Sequence, residues 1–334
     1  MNQRLTVCII TALLLWASAQ AIFAASPEIL EGAKREGTLM LYTSMNAPDV
    51  KQVFAAFQKK YPFIDPKFYT TRSAALLQRT INEAQAKRYA ADIVQANAYT
   101  IYVLVHKKLT TPYGSPESSA YPEGFHDPDR HWTAVNQQLN VIGYNTKLVN
   151  PKEAPRTYED LLNPKWKGKL ALDDKQYIWY DGMMKVMGKE KGLAFMKKLA
   201  TQDIHFRSGQ TLMAQLLSAG EFGILINTRP DNMEELKQKG APTAWVSPNP
   251  TTVNILPISL FANAPHPNAG KLFIDYVLSE EGQKLLGVMG RTPARPKIPT
   301  TYTVPDVKLV VNDLDQSARL NEIAAEYKKV FNLP

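Results

Sequence analysis

The chain has 334 residues, of which 45% are hydrophobic and 21% charged, and its formal net charge is +8. That balance is globular and excludes a disordered chain, and the length suits two domains better than one. The lysines and arginines are scattered without a run of five, so the charge points to a small anionic ligand or a basic surface and away from nucleic acid.

The N-terminal segment reads as a secretory leader. Arg4 is followed by an apolar run from Leu5 to Trp16 and then by small residues, among them Ala17, Ala19, Ala21, Ala24 and Ala25. Residues 1–24 are therefore expected to be a signal peptide, cut near Ala21 to Ala25, that delivers a soluble protein to the periplasm. The run is short for a membrane span of about 20 residues. The one cysteine, Cys8, lies within this leader, so the mature chain is expected to hold no disulfide and no thiolate metal site.

Downstream, a helix is expected over 27–36, closed by Gly37, and then a buried strand over 38–44. Pro48 opens a second helix that carries Val50, Val53, Phe54 and Phe57 on one face. A strand over 67–70, a helix capped by Ser73 and a strand over 91–94 complete a β-α-β-α-β order, which implies a parallel sheet covered by helices. The stretch 110–130 reads as a long surface loop, and 132–144 has a strand pattern rich in Val, Ile and polar residues. Thr157 to Asp160 forms a weak capping box. A second alternating unit follows. It has strands at 170–172, 222–226 and 243–246 and helices around 177–187, 190–199, 209–219 and after Pro230. The segment 254–261 is strand-like, and helices are expected over 268–278, 281–288 and 317–331. No solenoid-length repeat appears.

Several phrases carry a family resemblance in this order. Leu41-Tyr42-Thr43-Ser44, Asp127-Pro128-Asp129-Arg130-His131-Trp132 and Gly143-Tyr144-Asn145-Thr146 come first. Asp160-Leu161-Leu162-Asn163-Pro164-Lys165-Trp166-Lys167-Gly168-Lys169 and Leu272-Phe273-Ile274-Asp275-Tyr276-Val277-Leu278-Ser279-Glu280-Glu281-Gly282-Gln283 are the most specific pair, and Arg291-Thr292-Pro293-Ala294-Arg295-Pro296 follows. Together they resemble the periplasmic solute-binding proteins of ABC transporters, in the branch of the ferric-iron-binding proteins. The resemblance implies an α/β, type 2 periplasmic-binding fold, in which two lobes are joined by crossing hinge strands and the ligand lies in the cleft. It places residues 25–134 and 253–296 in one lobe and 135–252 and 297–334 in the other. It also implies a monomer that hands a small molecule to a membrane permease, with no cofactor.

Open α/β sheets bind ligands beyond the carboxyl ends of their strands, where helix N-termini attract anions. In the first unit this rule selects Tyr42, Thr43 and Ser44, then Arg72 and Ser73, then Asn97 and Tyr99. In the second it selects Tyr177 and Tyr180, then Arg207, Ser208 and Gln210 as a second anion seat, then Asn227 and Arg229. Ferric-binding relatives have two adjacent tyrosines after a phrase like Gly223 to Asn227, whereas here the sequence reads Asn227-Thr228-Arg229. Ferric iron is hard and takes anionic oxygen ligands. The guanidinium therefore favours an organic carboxylate, phosphate ester or phosphonate, with iron or an iron chelate as the alternative. His126 and His131 match no zinc spacing, and no metal site is expected there. The mature sequence contains no G-x-S-x-G, H-E-x-x-H or S-x-x-K motif, which argues against an enzyme.

Overall fold

The computed structural model describes residues 26–312 and 314–334, so the expected leader and its cleavage site lie outside the described residues. Ser26 caps the first helix by accepting a hydrogen bond from the Ile29 amide, Pro27 opens it, and Gly37 closes it in the left-handed region at φ 65°. This helix, α1 (Pro27–Glu36), is followed by β1 (Thr38–Thr43), α2 (Ala47–Lys60), β2 (Asp65–Thr70), α3 (Ser73–Gln85), β3 (Ile93–Gln95) and α4 (Ala98–His106). β1 pairs in parallel with both β2 and β3, since each connection is a helix that returns the chain to the same end of the sheet. The loop expected over 110–130 is partly regular, with a two-residue strand β4 (Thr110–Thr111) and a 3-10 turn at Pro116–Ala120.

The strand-patterned stretch 132–144, within which the resemblance implies a crossover between the lobes, is two strands in two different sheets, β5 (Thr133–Leu139) and β6 (Val141–Asn145). Asn140 sits at the break. Its Nδ2 donates to Thr252 Oγ1 at 2.8 Å, and its carbonyl accepts from Thr251 Oγ1 at 2.7 Å. β5 keeps its pairing in the first sheet to Leu139, past the division expected at 134/135.

The second sheet holds β7 (Leu170–Asp173), β8 (His205–Arg207), β9 (Ile224–Thr228) and β10 (Thr243–Val246) beside β6, in the order β10-β6-β9-β7-β8. Its helices are α5 (Tyr177–Met187), α6 (Lys189–Leu199), α7 (Gln210–Ala219) and α8 (Pro230–Gln238). The chain then returns through β11 (Thr251–Phe261), which pairs antiparallel with β5 and β3 and so lies at the centre of the first sheet. α9 (Pro267–Leu278), α10 (Glu280–Val288), β12 (Thr292–Pro293) and β13 (Leu309–Val311) follow. The first sheet runs β12-β5-β11-β3-β1-β2, with β4 and β13 also on β11. Just after β13, Asn312 donates from its backbone to Val253 O and from Nδ2 to Asn254 Oδ1 at 2.8 Å.

Each sheet has its own core. Leu39, Phe54, Phe57, Ile93, Leu272 and Phe273 fill the first, and Ile142, Trp166, Trp179, Tyr180, Met196 and Tyr327 the second. α11 (Leu320–Phe331) packs on the second unit, as the resemblance implies: the ring of Tyr327 lies edge-on to Tyr177 and Tyr180, and its hydroxyl donates to Asp173 O. This helix begins at Leu320 rather than 317, because a 3-10 turn at Leu314–Arg319 precedes it. Among the described residues no helix is long and apolar enough to cross a membrane.

Candidate ligand-binding site

The ends of β1, β2 and β3 meet at one edge of the first sheet. Thr43 is fully buried there, donates to Gln95 Oε1 and accepts from the Met45 amide at 3.0 Å. It holds the strand ends together and has no exposed surface to offer a ligand. Tyr42 points the other way, because successive side chains of a strand alternate. Its ring lies against Tyr69 and Phe261, and its hydroxyl is engaged by Glu83 and Arg79. The expectation that Tyr42 donates into a cleft is therefore corrected. Ser44, one residue on, is half-buried at the strand end.

Arg72, Ser73, Asn97 and Tyr99 are brought together where α3 and α4 begin. Arg72, not Ser73, occupies the cap position of α3, and no side chain caps that terminus. Ser73 instead accepts a weak hydrogen bond from the Asn97 amide at 3.4 Å, while its carbonyl accepts from Thr100 Oγ1. Asn97 caps α4 by accepting from the Thr100 amide at 3.0 Å. The first-turn N–H groups of α3, which no side chain caps, and the exposed guanidinium of Arg72 are groups of the kind that can receive an anion.

The second expected seat, at α7, is closed. Asp173 Oδ2 accepts from the Gly209 amide at 2.8 Å, and Asp174 Oδ2 accepts from Ser208 Oγ at 2.6 Å. Two carboxylates of the chain already lie at this helix start, so a ligand anion would meet like charge there. Arg207 is exposed on the edge strand and folds back onto Phe206 O, and Gln210 lies in the first turn of α7. This corrects the pairing of Arg207, Ser208 and Gln210 into an anion site. Tyr180 is corrected too: it is 1% exposed within the core, and burial pushes its phenol well above the usual range. Tyr177 is half-buried against Tyr327.

Asn227 and Arg229 flank the end of β9. Asn227 Nδ2 donates to Gln176 Oε1 at 2.8 Å, which ties this end to the start of α5. Arg229 donates from Nη2 to Asn232 Oδ1 at 2.7 Å, while its Nε is buried without a hydrogen bond and lies 3.4 Å from Asp231 Oδ1.

A cavity of about 230 Å³ joins the two units beyond the end of β3. Asn97 and Tyr99 line it from the first, Ile178 at the start of α5 from the second, and Gln138, Asn254 and Gln316 from the crossing segments. Sequence reasoning missed these last three. The available signal was the run Asn136-Gln137-Gln138 in an otherwise apolar strand. Among the described residues no three histidine, cysteine or acidic side chains gather as a metal site, and His131 is engaged by Thr110 instead.

The sequence profile of the bacterial extracellular solute-binding proteins matches residues 76–328. The chain belongs to this family. An uncharacterized protein of Haemophilus influenzae is 24% identical to this solute-binding protein over 317 residues, covering 89% of this chain and 90% of that one. The Bordetella ferric binding protein superposes with a TM-score of 0.76 at 19% identity, over 88% of this chain and 98% of that one. The periplasmic binding protein AfuA from Actinobacillus pleuropneumoniae, solved with fructose-6-phosphate bound, superposes with a TM-score of 0.69 at 20% identity, over 89% and 99% of the two chains. The fold is the type 2 periplasmic-binding fold. The solute-binding protein is a transport component of an ABC importer and not an enzyme.

Proposed function

We propose that the protein captures a small organic anion, either a carboxylate, a phosphate ester or a phosphonate, in the periplasm. The two units close on it as lobes and the protein hands it, as a monomer, to the importer's permease. The cationic strand ends carry this reading. The uncapped start of α3 with Arg72 belongs to the first unit, and Arg229, whose Nη2 meets Asn232 and whose Nε lies 3.4 Å from Asp231, belongs to the second. Both provide directional N–H donors for an oxyanion. The fructose-6-phosphate held by the Actinobacillus relative is a solute of this chemistry.

The ferric reading rests on the Bordetella relative. Against it stands the end of β9, where Asn227, Thr228 and Arg229 offer no anionic oxygen.

The test is the melting temperature of the leaderless protein against sugar phosphates, phosphonates, di- and tricarboxylates, thiamine, and ferric iron with and without citrate. A ligand at a hundred times its Kd stabilises by about 2.7 kcal/mol, a shift of a few degrees. An organic anion is expected to give that shift, and Arg72→Ala or Arg229→Ala to weaken its binding about ten-fold or more. A shift with ferric iron alone, or arginine variants that bind as tightly as the parent, would overturn the reading.

A further inference from the structure

Both units place a helix start on the side of their sheets where open α/β sheets bind solutes. α2 follows the carboxyl end of β1, and α8 follows that of β9. Each start carries a carboxylate that its own helix favours, Asp49 in the first turn of α2 and Asp231 in the first turn of α8. Arg291, just before β12 on the first sheet, lies between the two carboxylates.

The two ends of this bridge are unequal. Arg291 Nε donates to Asp49 Oδ2 at 2.8 Å, and its Nη2 lies 2.6 Å from the same oxygen, to which Asn46 Nδ2 also donates at 3.0 Å. Asp49 is buried, so these contacts fix the guanidinium to the first unit. The remaining arm, Nη1, reaches Asp231 Oδ2 at 3.5 Å, and Asp231 Oδ1 lies 3.4 Å from Arg229 Nε within the second unit. A rotation that separates the starts of α2 and α8 therefore lengthens the Arg291–Asp231 contact first. Beside it Trp245 of β10 meets Tyr302 edge-on, with ring centroids 6.0 Å apart, and Trp245 Nε1 donates to Glu234 Oε1 of α8. Tyr302 belongs to the segment after β12, and its hydroxyl bonds to Thr292 of that strand. The aromatic contact sets where the two units meet, and the ion pair adds an attraction that salt can screen.

We propose that Arg291 and Asp231 form a salt-sensitive clasp that biases the two units toward the closed arrangement without help from a solute. The side chains of the pair are 31% and 21% exposed, and an ion pair of that exposure shifts an equilibrium between closed and open units by about five-fold or less. That is enough to set how often the binding side opens and too little to hold it shut. Ionic strength accordingly tunes the open fraction. The inference rests on the lobe closure proposed above and not on the charge of the solute.

Double electron–electron resonance on the leaderless protein tests it. Cys8, the one cysteine of the chain, lies in the expected leader, so Gln52→Cys on α2 and Gln238→Cys on α8, both at exposed positions, take the spin labels alone. Two label distances are expected, one for closed and one for open units. At low salt Asp231→Asn is expected to raise the open-to-closed ratio by about two- to five-fold. Between about 10 mM and 1 M salt the screening length falls from ~30 to ~3 Å, and at the higher value the parent is expected to reach the ratio of the variant. Arg291→Lys keeps a charge beside Asp49 but loses the fork that spans both carboxylates, and it carries the same test from the first unit if Asp231→Asn does not fold. Equal ratios in parent and variant at low salt would overturn the clasp. A difference that high salt leaves unchanged would overturn it too, since Asp231 would then act through packing. Lobe closure stands in both cases. One unchanging distance in every sample, the solutes of the melting panel included, would overturn lobe closure and the clasp with it, so the two failures are distinguishable.

Discussion

Arg291, from the first sheet's side of the molecule, reaches Asp231 in the first turn of α8 at 3.5 Å. The same guanidinium holds Asp49 of α2 at 2.6 Å, and the other oxygen of Asp231 lies beside Arg229. One carboxylate thus stands between an arginine of the candidate site and an arginine of the opposite unit.

This link should be weak, and its strength should depend on salt. Arg291 is 31% and Asp231 21% exposed, which limits the pair to about 1 kcal/mol or less. Asp231→Asn cuts only the contacts of Asp231 and is expected to lower the melting temperature by about 2 °C at low ionic strength. The difference from the parent should shrink at about 1 M salt, where the screening length falls to ~3 Å. A difference that salt does not alter would mean that Asp231 acts through packing.

A stronger effect is expected at Arg295 and Glu117. Their ion pair is 2.6 Å long, with side chains only 18% and 7% exposed, and it ties the Pro116–Ala120 turn to the segment after β12. Arg295→Met leaves Glu117 charged and buried, at a cost of about 3 kcal/mol. Adding Glu117→Gln should recover part of that loss. Urea unfolding of the single and double variants measures both numbers.

Asp275 should make stability fall as the pH rises. Its carboxyl is 6% exposed, and burial pushes its pKa up to about 6 even though Tyr113 donates to both oxygens. Between pH ~4 and ~6 the folded chain therefore holds a proton that the unfolded chain releases. The stability contributed is fully present below the unfolded value and is lost as the pH passes the folded one. Asp275→Asn removes this dependence. Its melting temperature relative to the parent should climb from pH 4 to pH 7, by an amount equivalent to about 2 kcal/mol. A constant offset would place the proton elsewhere.

Gly182 of α5 should tolerate no side chain. A Cβ there would collide with Asn312 Oδ1 and lie 3.0 Å from Thr252 Cγ2, both at the crossing between the units. Gly182→Ala is expected to destabilise by about 2 kcal/mol, despite the better helix propensity of alanine. Thermal melts of the variant decide this.

Much of the fold was legible. The helices at 27–36 and 267–278 announce themselves by proline starts, apolar periodicity and, for the first, Gly37 at its end. The resemblance implies a crossover within 132–144, but its position at Asn140 was not legible, because β5 and β6 are equally rich in strand-forming residues and no local feature marks the residue at which the sheet changes. Ser73, Asn97, Asn227 and Arg229 could be named as candidates because strand ends and helix starts are local features. Tyr42 was misplaced because the facing of a strand residue depends on which side of the sheet is covered. The α7 seat was misread because Asp173 and Gly209 are distant in sequence and meet only through the parallel pairing of β7 with β8.

By itself, then, the sequence determined the family, the two α/β units and the strand ends that bear the candidate side chains, since all of these follow from local periodicity and short motifs. The tertiary structure alone decided that Asp173 and Asp174 close one helix start while α3 stays open. It also decided that residues from three separate crossing segments, Gln138, Asn254 and Gln316, line one cavity. The physical reason is that hydrogen-bond satisfaction is settled between distant residues, and an amide in a strand carries no local sign of whether its partner is protein or ligand.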